Sequence, residues 1–239
     1  MDSKSILIQN MRWDLGALRN YVEKLFGQEQ RRIVSNCIRS VVDRRSFSRH
    51  HYNEAMRAIA AKIDGRPDYE VMAAMLGAYD KETGSFEDAR FTAYANIVAC
   101  VHNMRAVADN LVHLVYFATG MNLDKSTCIE ERRISWHKIK GQLAASELST
   151  DLKDLHSHED FKYLVGLDNH CKHRGIVDVG FSISTVEDTY GMRIHAFTYD
   201  GTDYPQRWVR PLLTSEYQRQ ETQIMLAGNH LNDYVASLL

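Results

Sequence analysis

The chain holds 239 residues, enough to bury a sizeable core without disulfide or metal staples. Thirteen glycines and three prolines exclude a collagen-like chain, a linker of low complexity and a sandwich of many short strands, while 44% hydrophobic and 25% charged residues exclude whole-chain disorder. A net charge of −2 supplies no global field toward nucleic acid or an anionic membrane, so any such partner needs a local patch.

From Ser3 to Phe26, apolar residues recur at threes and fours as an amphipathic helix requires, and Gly27 closes it. Two further apolar patterns, Ile33 to Val42 and Tyr52 to Ile63, predict helices with a break near Ser46–Ser48, where serines can cap or turn. Pro67 starts a shorter helix through Leu76, and Asp80 to Gly84 reads as a loop. The longest helix is expected from Ser85, with Glu87 and Asp88 in its first turn, to Gly120. Helices follow over 130–143 and 151–174, the second interrupted around His156–Glu159 and capped by Gly175.

After Gly175 the period changes to two. Ile176 to Ser184 and Met192 to Tyr199 read as strands joined through Glu187, Asp188 and Gly191, and Asp200-Gly201 signals another turn. Pro205 and Pro211 restrict the next stretch to edge strand or loop, and Thr214 to Leu239 returns to helix with Leu226, Leu231, Tyr234 and Leu238 as core candidates. The expected fold class is mainly α: one domain, 1–239, forming a helical bundle of long helices with a small antiparallel β-hairpin at about 176–210, inserted before the C-terminal helix. The N-terminal helices, 1–80, are expected to pack on a bundle core of 85–239. Cys37, Cys100, Cys128 and Cys171 form no C-x-x-C pair and read as small buried hydrophobes, reduced thiols of a cytoplasmic protein. No stretch approaches the ~18 apolar residues of a membrane span, and the N-terminus lacks the apolar run of a secretory signal, so no membrane partner is expected.

The segment richest in chemistry is Leu167-Asp168-Asn169-His170-Cys171-Lys172-His173-Arg174-Gly175. At 100° per residue Asp168 falls in the apolar stripe of its helix, where a carboxylate needs a partner, and Lys172 at i+4 is the natural one. One reading is a polar pocket with His173 as acid/base and Lys172 or Arg174 holding an anion. The other is a helix end whose cations suit its carbonyl terminus.

Asn169 followed by His173 near the end of a bundle helix resembles the motif helix of the HEPN superfamily. The resemblance implies a helical core, homodimerisation and, in active members, metal-independent RNA cleavage in a cleft between protomers. It makes Asn169 and His173 the catalytic candidates, with Lys172, Arg174, Arg44 and Arg45 as phosphate-holding groups. At the position of the motif's arginine stands Asp168, a structural polar residue in this reading, and a carboxylate cannot donate to phosphate as guanidinium does. The leading expectation is therefore a HEPN-like protein, non-catalytic or weakly catalytic, acting through dimerisation or through binding RNA or a protein partner, in the stress or phage-defence setting the family suggests. The alternatives are a metal-independent endoribonuclease using His173 and a histidine-based metal-binding bundle.

Two surfaces widen the search. His102, Arg105, Asp109, His113 and Tyr116 recur along one polar face of the long helix, which reads as solvated, with a dimer interface or cleft wall as the sharper alternative. Asn103 and Asn110 flank it and could bond to a neighbouring helix. Between Arg31 and His51 six arginines meet a single acid, Asp43, which suits either a solvated face or a phosphate-binding one. Neither H-E-x-x-H nor a Glu-x-x-His pair accompanies His156, His158, His170 and His173, so no metal ligands and no cofactor are assigned.

Overall fold

A computed structural model describes residues 12–76 and 80–239, the side chains of 80–83 excepted. The fold is mainly α, with long helices and a small antiparallel sheet before the C-terminal helix. Helix α1 spans Leu15–Ile63, α2 Asp68–Met75 and α3 Asp80–Ala118, followed by one 3-10 turn at Glu131–Arg133. The shorter α4 (Trp136–Ile139), α5 (Glu147–Ser157) and α6 (Glu159–His173) lead into strands β1 (Val179–Ser184), β2 (Thr189–Ile194), β3 (Phe197–Tyr199), β4 (Thr202–Tyr204) and β5 (Arg207–Trp208). Helix α7, Val209–Ala236, closes the chain. Among the described residues no helix is long and apolar enough to cross a membrane.

Punctuation explains most boundaries. Residues 3–11 of the first expected helix lie outside the described residues, and 12–14 are not helical: Asp14 caps α1 by accepting from the Ala17 amide at 2.8 Å. Gly27 does not end the helix but kinks it, at φ 86° and ψ 178°, after which helix resumes. No break occurs at Ser46–Ser48, where Ser48 is buried and the chain has no glycine or proline to stop propagation. The expected loop at 80–84 is the first turn of α3, and Ser85 lies inside that helix, its hydroxyl bonded by the Lys62 ammonium. The expected helix over 130–143 is instead a 3-10 turn and a single α-turn, separated by extended Ile134 and Ser135. Extended His158 separates α5 from α6, as the sequence indicates, and Ser146 caps α5 through the Ser149 amide. Pro211, expected in a strand or loop, is the third residue of α7, where a missing N–H leaves no carbonyl unserved. Of the C-terminal core candidates, Leu231 is buried, Leu226 and Tyr234 are half-buried, and Leu238, past the end of α7, is 45% exposed.

The chain divides into two compact units. The first holds the described residues up to Arg44 with Ala106–Lys162 and Tyr217–Leu239. Its core includes Leu18, Val22, Ile38, Leu111, Val115 and Leu152. Gly228 of α7 admits the Trp13 indole so closely that a Cβ there would lie 2.3 Å from the ring, and Trp13 Nε1 donates to Asn232 at 3.1 Å.

The second unit is Arg45–Arg105 with Tyr163–Glu216. Ile59, Ile97, Val101, Leu164, Phe181 and Ile194 are among its buried residues. Strands β1 and β2 pair from Val179↔Ile194 to Ser184↔Thr189, and β5 adds only Arg193↔Trp208 and Ile194↔Arg207 on the far side of β2. Asp200-Gly201, at φ 49° and 75°, makes the two-residue turn between β3 and β4. The second strand expected at 192–199 is thus split at His195, whose amide donates to Asp178 O at 3.0 Å, and its halves belong to different sheets. Phe197, Tyr204 and Tyr163 pack ring to ring, and Gly166 of α6 gives Tyr204 room at 2.3 Å from the position of an absent Cβ.

Candidate functional site

Helix α6 ends at His173, held by the Arg174 and Gly175 amides donating to His170 O at 2.9 and 3.2 Å. One turn before that end, Asp168 is buried, its side chain 4% exposed. Lys172 Nζ donates to its Oδ2 at 2.6 Å, the i+4 pairing the sequence anticipates. His102 Nδ1 donates to Oδ1 at 3.2 Å and Arg105 Nε lies 3.5 Å from Oδ2, both from α3. Three cationic or protonatable groups therefore converge on one carboxylate, which offsets the cost of burying it. Their side chains remain 37%, 40% and 26% exposed for Lys172, His102 and Arg105, so the basic ends reach the surface while the acid does not.

The other motif residues lie outside this cluster. Asn169 is half-buried and His173 and Arg174 are exposed, and their side chains have no hydrogen-bond or ion-pair partner among the described residues. His170 Nδ1 donates to Gly175 O at 2.7 Å, and its ring meets Phe197 and Tyr199 edge-on. Beneath the helix end, Ile97, Val101, Leu167, Cys171 and Val179 line a pocket of about 10 Å³, room for no more than a single water. Burial raises the Cys171 thiol above its ordinary pKa, and the Asp168 charge adds to this. Arg44 and Arg45 are half-buried on α1, one in each unit, and both have partners.

The polar face of α3 is not a uniform solvated surface. Its first two members serve Asp168. Its last, Tyr116, is buried, with the Ile129 amide donating to its hydroxyl at 2.8 Å and the hydroxyl donating back to Ile129 O at 3.3 Å. Asn103 donates to Ala99 O of its own helix at 2.7 Å. Asn110 and His113 line an open groove of about 420 Å³ within the first unit, together with Cys37, Phe117 and Glu131. Burial lowers the His113 pKa against a smaller upward pull from Glu131, and burial pushes the Cys37 thiol up to about 11, so neither group is an activated nucleophile or a standing cation.

Sequence reasoning paired Asp168 with Lys172 and missed His102 and Arg105. The signal was present in two halves: a carboxylate in an apolar stripe that needs cations, and two basic residues one turn apart on the polar face of the long helix. No protein-family model, curated protein or solved structure matches the chain.

Proposed function

We propose that the chain is a HEPN-like helical protein that acts by binding rather than by cutting, with the phosphate backbone of RNA as its ligand, and that it works as a cytoplasmic homodimer in a stress or defence response. The observation that carries the first part is the burial of Asp168. Where a cleaving member of the superfamily would present a guanidinium to phosphate, this chain has a carboxylate, and Lys172, His102 and Arg105 are spent partly on neutralising it. What remains at the surface is basic: Lys172, His173 and Arg174 at the end of α6, together with the part-exposed side chains of His102 and Arg105. Such a patch suits contacts to phosphate that carry no sequence information and weaken with salt.

One observation favours the endoribonuclease reading. Helix α3 delivers the guanidinium of Arg105 beside Asp168, and with exposed His173 it could replace the absent arginine of the motif. Labelled single-stranded RNA and DNA incubated with the wild-type protein, His173→Ala and Arg105→Ala separate the two. The binding reading expects no cleavage by any of them, and RNA retention that falls steeply as salt rises and is weakened by removing the α6 cations. Cleavage of RNA but not DNA, lost in both variants, establishes the nuclease instead, since this chemistry needs the 2′-hydroxyl. A monomer by light scattering overturns the dimer.

A further inference from the structure

The second unit carries a groove that the basic end of α6 does not involve. It measures about 620 Å³. Its floor is apolar, made by Met56, Ile59 and Ile63 of α1 at helical spacing and by Met192 of β2, with Trp208 as a wall. Its rim is acidic, with Asp64, Glu187 and Asp188 against a single cation, Arg210, among the described lining residues. Glu187 is engaged, accepting from Trp208 Nε1 at 2.7 Å and lying 3.5 Å from Arg193. Asp64 and Asp188 have no side-chain partner among the described residues, and both are exposed.

One side of this groove is the unfinished edge of a sheet. Strand β5 pairs with β2 only at Arg193 and Ile194, and the chain then turns into α7 at Val209. Thr189, Tyr190, Gly191 and Met192 pair with β1 on one side and, among the described residues, have no strand on the other. In an antiparallel ladder alternate residues aim both N–H and C=O to the same side, so two of these four direct their backbone groups into the groove. Beyond the ladder, no backbone hydrogen bond of Thr189–Met192 occurs among the described residues. An edge of this kind is a template for one more strand.

We infer that the groove binds an extended, basic polypeptide segment of a partner protein, which adds as a strand to the free edge of β2 where β5 stops. Alternate residues of such a segment face opposite ways. Apolar side chains on one face reach Ile59, Ile63 and Met192, and lysine or arginine on the other meets Asp64 and Asp188. The acid excess at the rim disfavours a nucleic-acid backbone in the same place, so this surface is independent of the one proposed for RNA.

The probe is a fluorescent hexapeptide of alternating lysine and valine, followed by anisotropy with the full chain. Saturable binding is expected, with affinity falling about tenfold when glutamate replaces lysine and by a similar factor when alternate backbone amides are N-methylated. The Asp64→Asn/Asp188→Asn variant should bind about fivefold more weakly, because two uncompensated carboxylates are gone from the rim. Asparagine tolerates the φ of 47° at position 188, and circular dichroism checks the fold. Bound peptide should slow hydrogen exchange of amides within Thr189–Met192. Absence of saturable binding, equal binding of the glutamate peptide, indifference to N-methylation, or displacement of the peptide by single-stranded RNA each overturns the assignment.

Discussion

Each of the two units buries an aspartate, and their surroundings differ in kind. Asp168 in the second unit has Lys172, His102 and Arg105 around its two oxygens. Asp151 in the first, with its side chain 12% exposed, has one partner, His230, whose Nδ1 donates at 2.6 Å while Nε2 lies 3.1 Å from Glu147. Glu147 and Asp154 add negative charge to a site already short of cations, and burial raises the Asp151 carboxyl above the ordinary carboxylate range although His230 pulls it down. A buried carboxylate is thus not one kind of object. With three basic groups around it, it joins α3 to the end of α6, and with one shared imidazole it is pushed toward its neutral form.

Removing each acid in turn tests this difference most strongly. Asp168→Ala strands three basic groups around an empty position and is expected to cost about 3 kcal/mol, the low end for a broken buried ion cluster because the cations are partly exposed. Urea unfolding at neutral pH measures it. An effect under about 1 kcal/mol would show Asp168 to be no more than a surface pair. Asp151→Asn keeps shape and a carbonyl acceptor for His230 Nδ1 while deleting a poorly compensated charge, so its cost at neutral pH should stay below about 1 kcal/mol. Its pH dependence gives the sign. A carboxyl whose folded pKa is raised contributes stability that is full below its unfolded value of about 3.8 and is lost as pH rises through the folded value. The asparagine variant therefore improves relative to wild type between pH 4 and pH 7, and a difference that stays flat overturns the account.

Local chemistry was legible in the sequence, and long-range pairing was not. Gly120 at φ 73°, the Asp200-Gly201 turn and the break before Glu159 follow from what a glycine, an Asp-Gly pair or a polar cluster does to its own backbone. The errors at Ser46–Ser48 and at 80–84 share one cause, since a weak breaker is absorbed when the helix around it has apolar residues to bury, whereas Pro211 is accommodated because it lies in the first turn of α7, where its missing N–H breaks no helical bond. The opposite error, a helix expected over 130–143, arose where few residues are buried, with only Ile134, Ile139 and Leu143 on the inside. At the site, Lys172 was found because i+4 is a property of one helix. His102 and Arg105 lie 66 and 63 positions before Asp168, and no periodicity within one segment links them.

Helix α3 carries the contrast between the units one step further through a second histidine. His102 lies beside a buried carboxylate in the second unit, whereas His113 lines the groove of the first unit, where burial outweighs the nearby Glu131. Its pKa is accordingly lowered from the ordinary value of about 6.5. The folded state then takes up a proton less readily than the unfolded chain, so this group's contribution to stability is whole above about pH 6.5 and is lost as pH falls through the depressed folded value. The effect is smaller than either aspartate substitution. Proton NMR should place the His113 midpoint below the ordinary histidine value of about 6.5. Glu131→Gln should lower it further by removing the larger of the two upward pulls, the other being a backbone hydrogen bond at Ile134. A midpoint that stays put or rises in that variant would mean that the Glu131 carboxylate exerts no upward pull on the imidazole, which overturns this account of the groove.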